Sequence, residues 1–266
     1  MNSHKDGQAI LSIGLAIRIA QSIGLHRSLA AHKHPYEKEF VRKEHHLRNC
    51  VWWTCYCLDK YAILFVLTKS VTIATVALNV LRKLCFDGGR PPGIFDDDCD
   101  ADIPDFEDID AKSPASLRTS ENVRPSSFFR SLIGLCKILS SITSKLFSRY
   151  ITSQSETAII SHIIAVDDKL LTWKNTLPFE LQPEQELTGI KDGINYVGAA
   201  LLHCAYHNAM LVVHRASLLS DKIILMRSHD NPRIAASDAI CLNAARSLAK
   251  SVNDWISTNS ELLIDR

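Results

Sequence analysis

The pattern of apolar residues is helical along most of the chain. Near the N-terminus, apolar side chains recur at three- and four-residue steps and share one helix face: Ile10, Ile13, Ile17 and Ala20. Leu11 and Leu15 widen this face, so we expect the helix to be well buried. Gly24 is expected to end it as a C′ glycine. A second, more charged helix is predicted over Glu37–Lys60.

Two later segments keep a regular alternation of three- and four-residue steps, which is typical of neighbouring helices in a bundle. The first comprises Phe128, Leu132, Leu135, Leu139, Ile142 and Leu146, and the second Ile159, Ile163, Val166, Leu170, Trp173 and Leu177. Further helices are predicted over about Asn195–Leu219 and Ile234–Trp255. Since no useful strand pattern occurs, the sequence predicts an all-α fold, an irregular bundle of antiparallel helices with one acidic loop that contains Gly and Pro.

The middle of the chain interrupts the helical pattern. Gly and Pro residues between 88 and 104 forbid a continuous helix. The stretch Asp96–Asp110 holds nine acidic residues and no Lys or Arg, and the polar stretch 111–127 is predicted to be a linker or surface loop. We therefore divide the chain into an N-terminal part, 1–110, the linker 111–127, and a helical continuation of the same domain, 128–266.

Composition and charge limit the class of protein. The chain has 266 residues, of which 46% are hydrophobic and 22% charged, as in ordinary globular proteins. Its formal net charge of +1 argues against a chain that grips nucleic acid through a basic face, although outside the acidic stretch 30 basic residues face only 20 acidic ones. Eight cysteines without a secretory signal indicate reduced thiols. The most apolar stretch, Tyr61–Leu84, contains polar residues and Lys69, so no membrane span is predicted.

Two carboxylate patterns are compatible with a magnesium-dependent enzyme. Asp96–Asp100 (DDDCD) fits the DDxxD motif of class I terpenoid synthases, and Asn253–Glu261 (NDWISTNSE) fits their NDxxSxxxE motif. In such enzymes the carboxylates hold Mg²⁺ against a substrate diphosphate. The first motif lies between Pro92 and Pro104 rather than on a predicted helix, and only five residues follow Glu261. This enzyme remains an alternative hypothesis.

The same acidic stretch partly matches a calcium-binding loop. Ligand positions 1, 3, 5 and 12 of an EF-hand would be filled by Asp96, Asp98, Asp100 and Glu107. However, Ala101 stands where the loop needs Gly, and no helix is predicted to enter the loop. A solvated acidic loop is the simpler interpretation.

Three histidines, His203, His207 and His214, fall on one face of a predicted helix and could bind Zn²⁺. No glutamate accompanies them, so the zincin motif is absent, and histidines that pack between helices are the favoured interpretation. The sequence contains neither a phosphate-binding glycine loop nor a G-x-S-x-G elbow. We therefore predict no catalytic residues and no metal or cofactor site in this chain.

Three motifs follow one another along the chain, at residues 16–27, 44–60 and 89–104. This ordered set is similar to the middle homology region, or xylanolytic-activator regulatory domain, of fungal zinc-cluster transcription factors. Residues 16–27 (AIRIAQSIGLHR) resemble the family's A-x-R-x-A-x-x-L-G-L-H-R, through Arg18, Gly24, Leu25 and His26. Residues 44–60 resemble E-x-R-R-R-x-W-W-x-x-Y-x-L-D-R, through Arg48, Trp52, Trp53 and Asp59. A third motif, G-R-P…D-x-D…L-P, is matched by Gly89, Arg90, Pro91, the acidic residues that follow and Pro104. We expect these residues to maintain the fold.

The chain departs from the family pattern in two ways. The family's six-cysteine DNA-binding zinc cluster has no counterpart here, so the chain resembles a regulatory domain that is incomplete at its N-terminus. In addition, residues 66–87 separate two motifs that would otherwise join smoothly. We hypothesise that this segment is a retained intron translated in frame, or a recent insertion.

The resemblance implies a regulatory domain of a fungal transcription factor that acts in the nucleus. It implies a homodimer and contacts with the transcription machinery, and it leaves open a small-molecule effector. DNA binding, and the zinc that supports it, are implied only for the separate cluster in the full-length architecture. Besides the magnesium-dependent enzyme, a helical protein-interaction module without a DNA-binding partner remains an alternative.

Overall fold

A computed structural model of the chain describes residues 3–28, 39–67, 93–104, 125–146, 154–186, 193–217 and 232–264. Within these ranges the regular secondary structure is helical and contains no strand, which confirms the all-α fold class. Residues 111–124 of the predicted linker lie outside the described ranges. The same is true of most of the segment 66–87 and of the motif residues Gly89, Arg90 and Pro91.

Seven α-helices occur in the described ranges, and we number them in chain order. They are α1 (Ser3–Ser22), α2 (Glu39–Leu67), α3 (Pro125–Leu146), α4 (Glu156–Thr176), α5 (Gly193–Ala216), α6 (Pro232–Ala235) and α7 (Ser237–Ile264). The hydrophobic pattern therefore located the long helices but not all of their ends. Helix α1 begins at Ser3, before the first patterned residue Ile10, while α2 continues past Lys60 to Leu67 and α7 continues past Trp255 to Ile264. A break at Ala236 divides the predicted last helix into α6 and α7. The expected linker also ends earlier, because α3 already begins at Pro125, a residue suited to a first helical position.

Helix α5 lies at the centre of the bundle. It packs against α3, α4 and α7. Helix α3 also contacts α4 and α2, and α1 packs against α2. The segment Tyr196–Arg215 of α5 is long and apolar enough to cross a membrane by length and composition alone. Most of it is buried by the surrounding helices, as this central position requires.

Close approach between helices depends on two small residues. A Cβ atom at Gly198 of α5 would lie 2.7 Å from the Phe128 ring of α3, which is closer than atoms can approach. A Cβ atom at Gly134 of α3 would lie 3.3 Å from the Trp173 indole of α4, whose Nε1–H donates to the Ser131 carbonyl at 3.0 Å. Glycine at these two positions lets α3 contact both α4 and α5 closely.

The expectation that α1 is well buried was wrong for its outer face. Ile17 and Ala20 are buried, but Leu11 and Leu15 are 73% and 62% exposed. The reason is that α1 lies at the margin of the described bundle and packs chiefly against one neighbour, α2. A helix with one neighbour buries only one of its faces.

Candidate functional site

The family-like motifs meet where the end of α1, helix α2 and the acidic segment come together. We use "acidic segment" for residues 93–104 and "motif junction" for this meeting point, which comprises residues 17–28, 48–60 and 93–104. Sequence separations of 40 residues or more are bridged here by hydrogen bonds, such as the one between Tyr56 and Asp96. The junction therefore fixes the acidic segment onto the first two helices.

Helix α1 ends in a Schellman motif. Gly24 adopts a positive φ of 73°, its N–H donates to the Gln21 carbonyl at 3.0 Å, and the Leu25 N–H donates to the Ala20 carbonyl at 2.9 Å. Leu25 is buried, as the hydrophobic contact of this motif requires. Arg48 of α2 donates to the Gly24 carbonyl at 3.2 Å. The predicted C′ glycine is thus tied directly to the second helix.

The paired tryptophans of α2 hold the acidic segment through their indole N–H groups. Trp52 Nε1 donates to the Cys99 sulfur at 2.8 Å, and Trp53 Nε1 donates to the Asp102 carbonyl at 2.9 Å. Both side chains are buried, and the His26 ring lies 5.7 Å from the Trp52 ring. Each indole therefore combines a large buried apolar area with a directed hydrogen bond.

The start of the acidic segment is fixed by two residues at consecutive positions of α2. The Asp59 carboxylate accepts from the N–H groups of Gly93 at 2.9 Å and Ile94 at 3.1 Å. Lys60 donates to the Ile94 carbonyl at 2.6 Å and lies 3.3 Å from Asp59, with both side chains largely buried. A Cβ atom at Gly93 would lie 3.0 Å from Asp59 Oδ1, so this close approach favours glycine.

The carboxylates of the acidic segment face different elements. Asp96 accepts from the hydroxyls of Tyr56 at 2.7 Å and of Ser140 in α3 at 3.0 Å. Burial, together with the hydrogen bond to Asp96 and its charge, raises the pKa of Tyr56 well above its usual range. Asp100 and Asp102 instead accept from the backbone N–H and the hydroxyl of Ser28, just after α1, at 3.1 and 3.2 Å.

This arrangement differs from both metal-binding hypotheses. Asp96–Asp98 form one short 3₁₀ turn instead of a helix that faces a cavity, as DDxxD would require. Asp96 and Asp100 bond to different elements, whereas an EF-hand loop turns its ligands towards one point. Glu107 and the Glu261 side chain lie outside the described part of the structure. Among the residues that are described, no three His, Cys, Asp or Glu side chains are placed to hold a metal ion.

For the remaining predicted site residues, the structure gives only their exposure or no description. Arg18 is exposed on α1, and Pro104 is buried at the end of the acidic segment. Gly89, Arg90 and Pro91 belong to the residues that the structure does not describe, so their expected role in maintaining the fold stays a prediction.

The three histidines of α5 have separate partners. His203 Nε2 donates to the Leu181 carbonyl at 3.2 Å, and burial, with the neighbouring His207, lowers the pKa of His203 to about 4. Burial also lowers the pKa of His207. His214 lies in a different cluster, with Asp167 of α4. All three imidazoles pack between elements of the bundle instead of converging on one point.

Sequence reasoning missed that second cluster, which we call the core network: Asp167, His214, Arg233 and Ser237. Asp167 accepts from His214 Nε2 at 3.1 Å and from both Nε and Nη2 of Arg233, the latter at 2.9 Å. Burial alone would raise the pKa of Asp167, but the hydrogen bonds and charges of His214 and Arg233 lower it to about 2. The network therefore joins α4, α5 and α6, and through Ser237 the start of α7.

Hydrogen bonds hold the His214 ring from two sides. Ser237, which donates its hydroxyl hydrogen to the Ile234 carbonyl at 2.7 Å, lies 3.1 Å from His214 Nδ1. His214 Nε2 lies 3.1 Å from the Asp167 carboxylate, and the ring is fully buried between the two side chains.

The core network shares its residue types with a hydrolase triad but differs from one in its hydrogen bonds. The Ser237 hydroxyl is buried and donates to a carbonyl instead of to His214, so no base activates it as a nucleophile. A sequence signal for the network did exist. Asp167 follows Val166 directly and lies four residues after Ile163, on the buried face of α4. A carboxylate at such a position requires partners.

Comparison with known protein families identifies the fold family. The fungal specific transcription factor domain matches residues 2–67 and 82–183, which is more than half of the chain. The chain belongs to this family. This family is described as a fungal specific transcription factor domain, which agrees with the resemblance seen in the motif residues of the junction.

Curated relatives of this domain are also regulators of transcription. An ABC-transporter-regulating transcription factor of Aspergillus fumigatus is 28% identical over 245 residues, and that of Aspergillus oryzae is 27% identical; each match covers 88% of this chain. A transcriptional regulatory protein of Schizosaccharomyces pombe is 23% identical over 90% of the chain. The chain spans about a quarter of the length of these relatives, 24% to 27%. No solved structure matches the chain.

Proposed function

We propose that this chain is the regulatory region of a nuclear DNA-binding transcription factor, whose DNA contacts are made by a zinc cluster outside these residues. The proposal rests on the family match and on the position of the family-like residues. These residues lie in the motif junction, where they hold the acidic segment against α1 and α2. Such a junction can shift between packed states and so relay an effector or restrain activation. Homodimerisation and contacts with the transcription machinery belong to the same proposal.

The geometry supports a regulatory role without catalysis. The groups best suited to chemistry are already engaged: Asp96 with two hydroxyls, Asp167 with His214 and Arg233, and Ser237 with a carbonyl. As a direct check, we expect no turnover when the chain is incubated with a prenyl diphosphate and Mg²⁺. Turnover that is lost in Asp96→Ala and Glu261→Ala would overturn the proposal in favour of a terpenoid-synthase-like enzyme.

A reporter experiment tests the regulatory role. The chain is fused to an unrelated DNA-binding domain in a fungal cell, and we expect reporter output to differ from that of the DNA-binding domain alone. Trp52→Ala, which removes a buried indole and its hydrogen bond to the acidic segment, should abolish the difference, whereas Thr54→Ala at an exposed position of the same helix should preserve it. Equal output from the fusion and the bare DNA-binding domain would contradict the proposal.

Genomic sequence provides a second test. An in-frame six-cysteine cluster encoded upstream of codon 1 would support the transcription factor, while a stop codon with no cluster would favour a stand-alone interaction module. The two Aspergillus relatives are described as regulating ABC transporters, so genes of that class are the first targets to examine for altered expression.

We further propose that residues 66–87 are an insertion or a retained intron. In support, the family match stops at residue 67 and resumes at residue 82, inside this segment. Sequencing of the transcript across codons 60–92 is the test. A spliced message that lacks the 22 codons supports a retained intron, whereas uniform retention of these codons excludes that version and leaves a genuine insertion.

A further inference from the structure

A short segment that follows α4 lies against α5, and we call these residues, 177–186, the turn segment. It begins with a 3₁₀ turn over Phe179–Leu181. Leu177 and Leu181 are buried, whereas Phe179 is 66% exposed. The turn segment therefore has an inner apolar side, which covers a part of α5 that carries two histidines.

Two buried histidines of α5 hold the turn segment through its backbone. His203 Nε2 donates to the Leu181 carbonyl at 3.2 Å, and one helical turn further along, His207 donates to the Pro183 carbonyl. The two side chains are only 2% and 9% exposed. A neutral imidazole carries one N–H group, which is all that each carbonyl requires. Both bonds are therefore complete while the histidines are neutral.

The surroundings of the two rings favour this neutral form. His207 Nε2 is buried and has no hydrogen-bond partner among the residues that the structure describes. A second ring hydrogen on this atom would be a buried donor without an acceptor, next to a buried charge, and both are costly. Burial lowers the pKa of both rings, and together with the neighbouring His207 it lowers the pKa of His203 to about 4. The docked turn segment therefore opposes proton uptake.

Charged groups on three elements surround this contact. Glu184 of the turn segment favours the protonated rings, but it is paired with Lys174 of α4 at 2.6 Å, and Lys174 opposes protonation of His207. On α7, Lys250 lies 3.4 Å from Glu186, and both side chains are mostly exposed. Because α4 leads directly into the turn segment, the first pair does not attach it to α5, and the second is too exposed to add much. The attachment to α5 therefore depends chiefly on buried groups.

We infer that the turn segment is an acid-sensitive element, which leaves α5 when His203 and His207 take up protons while the helices stay folded. Release brings both imidazoles into water, where their charged form is well solvated, but it breaks two hydrogen bonds and exposes the inner leucines. Helices α3, α4 and α7 keep their own contacts with α5. The opening is therefore local and costs less free energy than global unfolding. The inference goes beyond the proposed function and does not depend on it.

The direction and size of the effect follow from proton linkage. In the released segment, histidine has its ordinary pKa of 6.5, whereas docked His203 binds a proton only at about pH 4. Lowering the pH from about 7.5 to about 5 should therefore favour release about 30-fold through His203 alone. His207 adds to this change in the same direction, because its pKa is also lowered.

Hydrogen–deuterium exchange of the purified chain tests the inference. The N–H groups of Leu181, Gln182 and Gln185 are hydrogen-bonded within short turns, which do not persist once the segment is released. Protection factors are corrected for the intrinsic effect of pH on exchange. Between about pH 7.5 and about pH 5, we expect protection of peptides from 177–186 to fall at least about 30-fold. Protection of peptides from 163–173, in the buried part of α4, should change little.

Histidine variants show whether the two imidazoles cause the release. The double variant His203→Gln/His207→Gln keeps a donor at each position but cannot titrate, so protection of its turn segment should not depend on pH in this range. His162→Gln, in the first half of α4, is the matched control and should keep the fall seen in the wild type. If the double variant loses helicity, the two single variants replace it, and each should show a smaller fall than the wild type.

Three results would overturn the inference. The first is a turn segment that stays protected at about pH 5 in the wild type. The second is a parallel loss of protection in 163–173, because this would mean that acid unfolds the bundle as a whole. The third is a fall in protection that persists unchanged when both histidines, or each of them singly, are replaced by glutamine.

Discussion

The motif junction and the core network both join helices through polar side chains, but at different depths. In the junction, Asp96 and Asp100 of the acidic segment remain exposed to water, although the Asp59 side chain on α2 is largely buried. In the core network, Asp167 and His214 are 2% and 0% exposed. A hydrogen bond lost at Asp96 or Asp100 can be replaced by water, whereas one lost in the core network cannot. Depth, more than the number of bonds, should therefore decide what each substitution costs.

Asp167→Ala should have the largest effect. It leaves the buried His214 ring and the Arg233 guanidinium without their carboxylate partner, and breaking a buried pair in this way costs roughly 3–5 kcal/mol of the free energy of unfolding. Urea denaturation followed by circular dichroism measures the loss. Asp168→Ala is the matched control, since Asp168 is the exposed neighbour and should change stability by no more than about 0.5 kcal/mol. Equal losses in the two variants would contradict the assignment of the network.

The two regions also differ in what the sequence revealed. Family-like motifs marked the junction at Gly24, Trp52 and Asp59, because helix ends and clamping side chains leave local patterns. The fold class and the long helices followed from hydrophobic periodicity for the same reason. The core network joins residues 66 positions apart, Asp167 and Arg233, and no local pattern encodes such a pair. Only the buried position of Asp167 in the α4 seam indicated it.

The exposed outer face of α1 shows a second limit of predictions made from hydrophobic periodicity. The apolar pattern around Leu11 correctly predicted a helix, but a pattern cannot tell which faces meet a neighbour within the described bundle. Burial depends on packing partners, which local sequence does not specify.

Acidification should weaken the bundle in two stages. The pKa of His203 is lowered from 6.5 to about 4, so between these pH values the unfolded chain binds the extra proton and stability falls as the pH falls. We expect a loss on the order of 2–3 kcal/mol across this window. The pKa of Asp167 is lowered from 3.8 to about 2, so its contribution is lost only below pH 4.

Urea denaturation at a series of pH values separates the two stages. His203→Gln keeps a donor for the Leu181 carbonyl but cannot titrate, so it should flatten the slope between pH 6.5 and 4 and leave the lower stage intact. An unchanged slope in this variant would show that another group, such as the adjacent His207, dominates the first stage.

The two glycines of the α1 region should respond in opposite directions. Gly24→Ala places a side chain at φ 73° and should cost roughly 1–2 kcal/mol, because L-residues are strained in the left-handed region. Gly14→Ala meets no atom within 4 Å inside the helix and should stabilise by about 0.5–1 kcal/mol. The melting temperatures of both variants are measured by thermal unfolding and compared with that of the wild type. Two shifts of the same sign would contradict the C′ assignment of Gly24.

Tyr56→Phe should cause the smallest loss of stability. It removes one of the two hydroxyls that donate to Asp96, while the exposed carboxylate keeps Ser140 and gains water, so a loss of about 0.5–1 kcal/mol is expected. Because water replaces each lost donor, the double variant Tyr56→Phe/Ser140→Ala should equal the sum of the single variants within about 0.5 kcal/mol.

The same double-mutant cycle on Asp167→Ala and His214→Leu should behave differently. Either single change leaves the other side chain buried without the hydrogen bond between Asp167 and His214, while the double change removes both of these partners, so the double variant should lose less stability than the sum. Urea denaturation of all six variants measures both couplings. If the Tyr56–Ser140 cycle were as strongly coupled as the Asp167–His214 cycle, water would not be substituting at Asp96. The acidic segment would then be held as rigidly as the buried core, which is the opposite of what a junction able to shift between packed states requires.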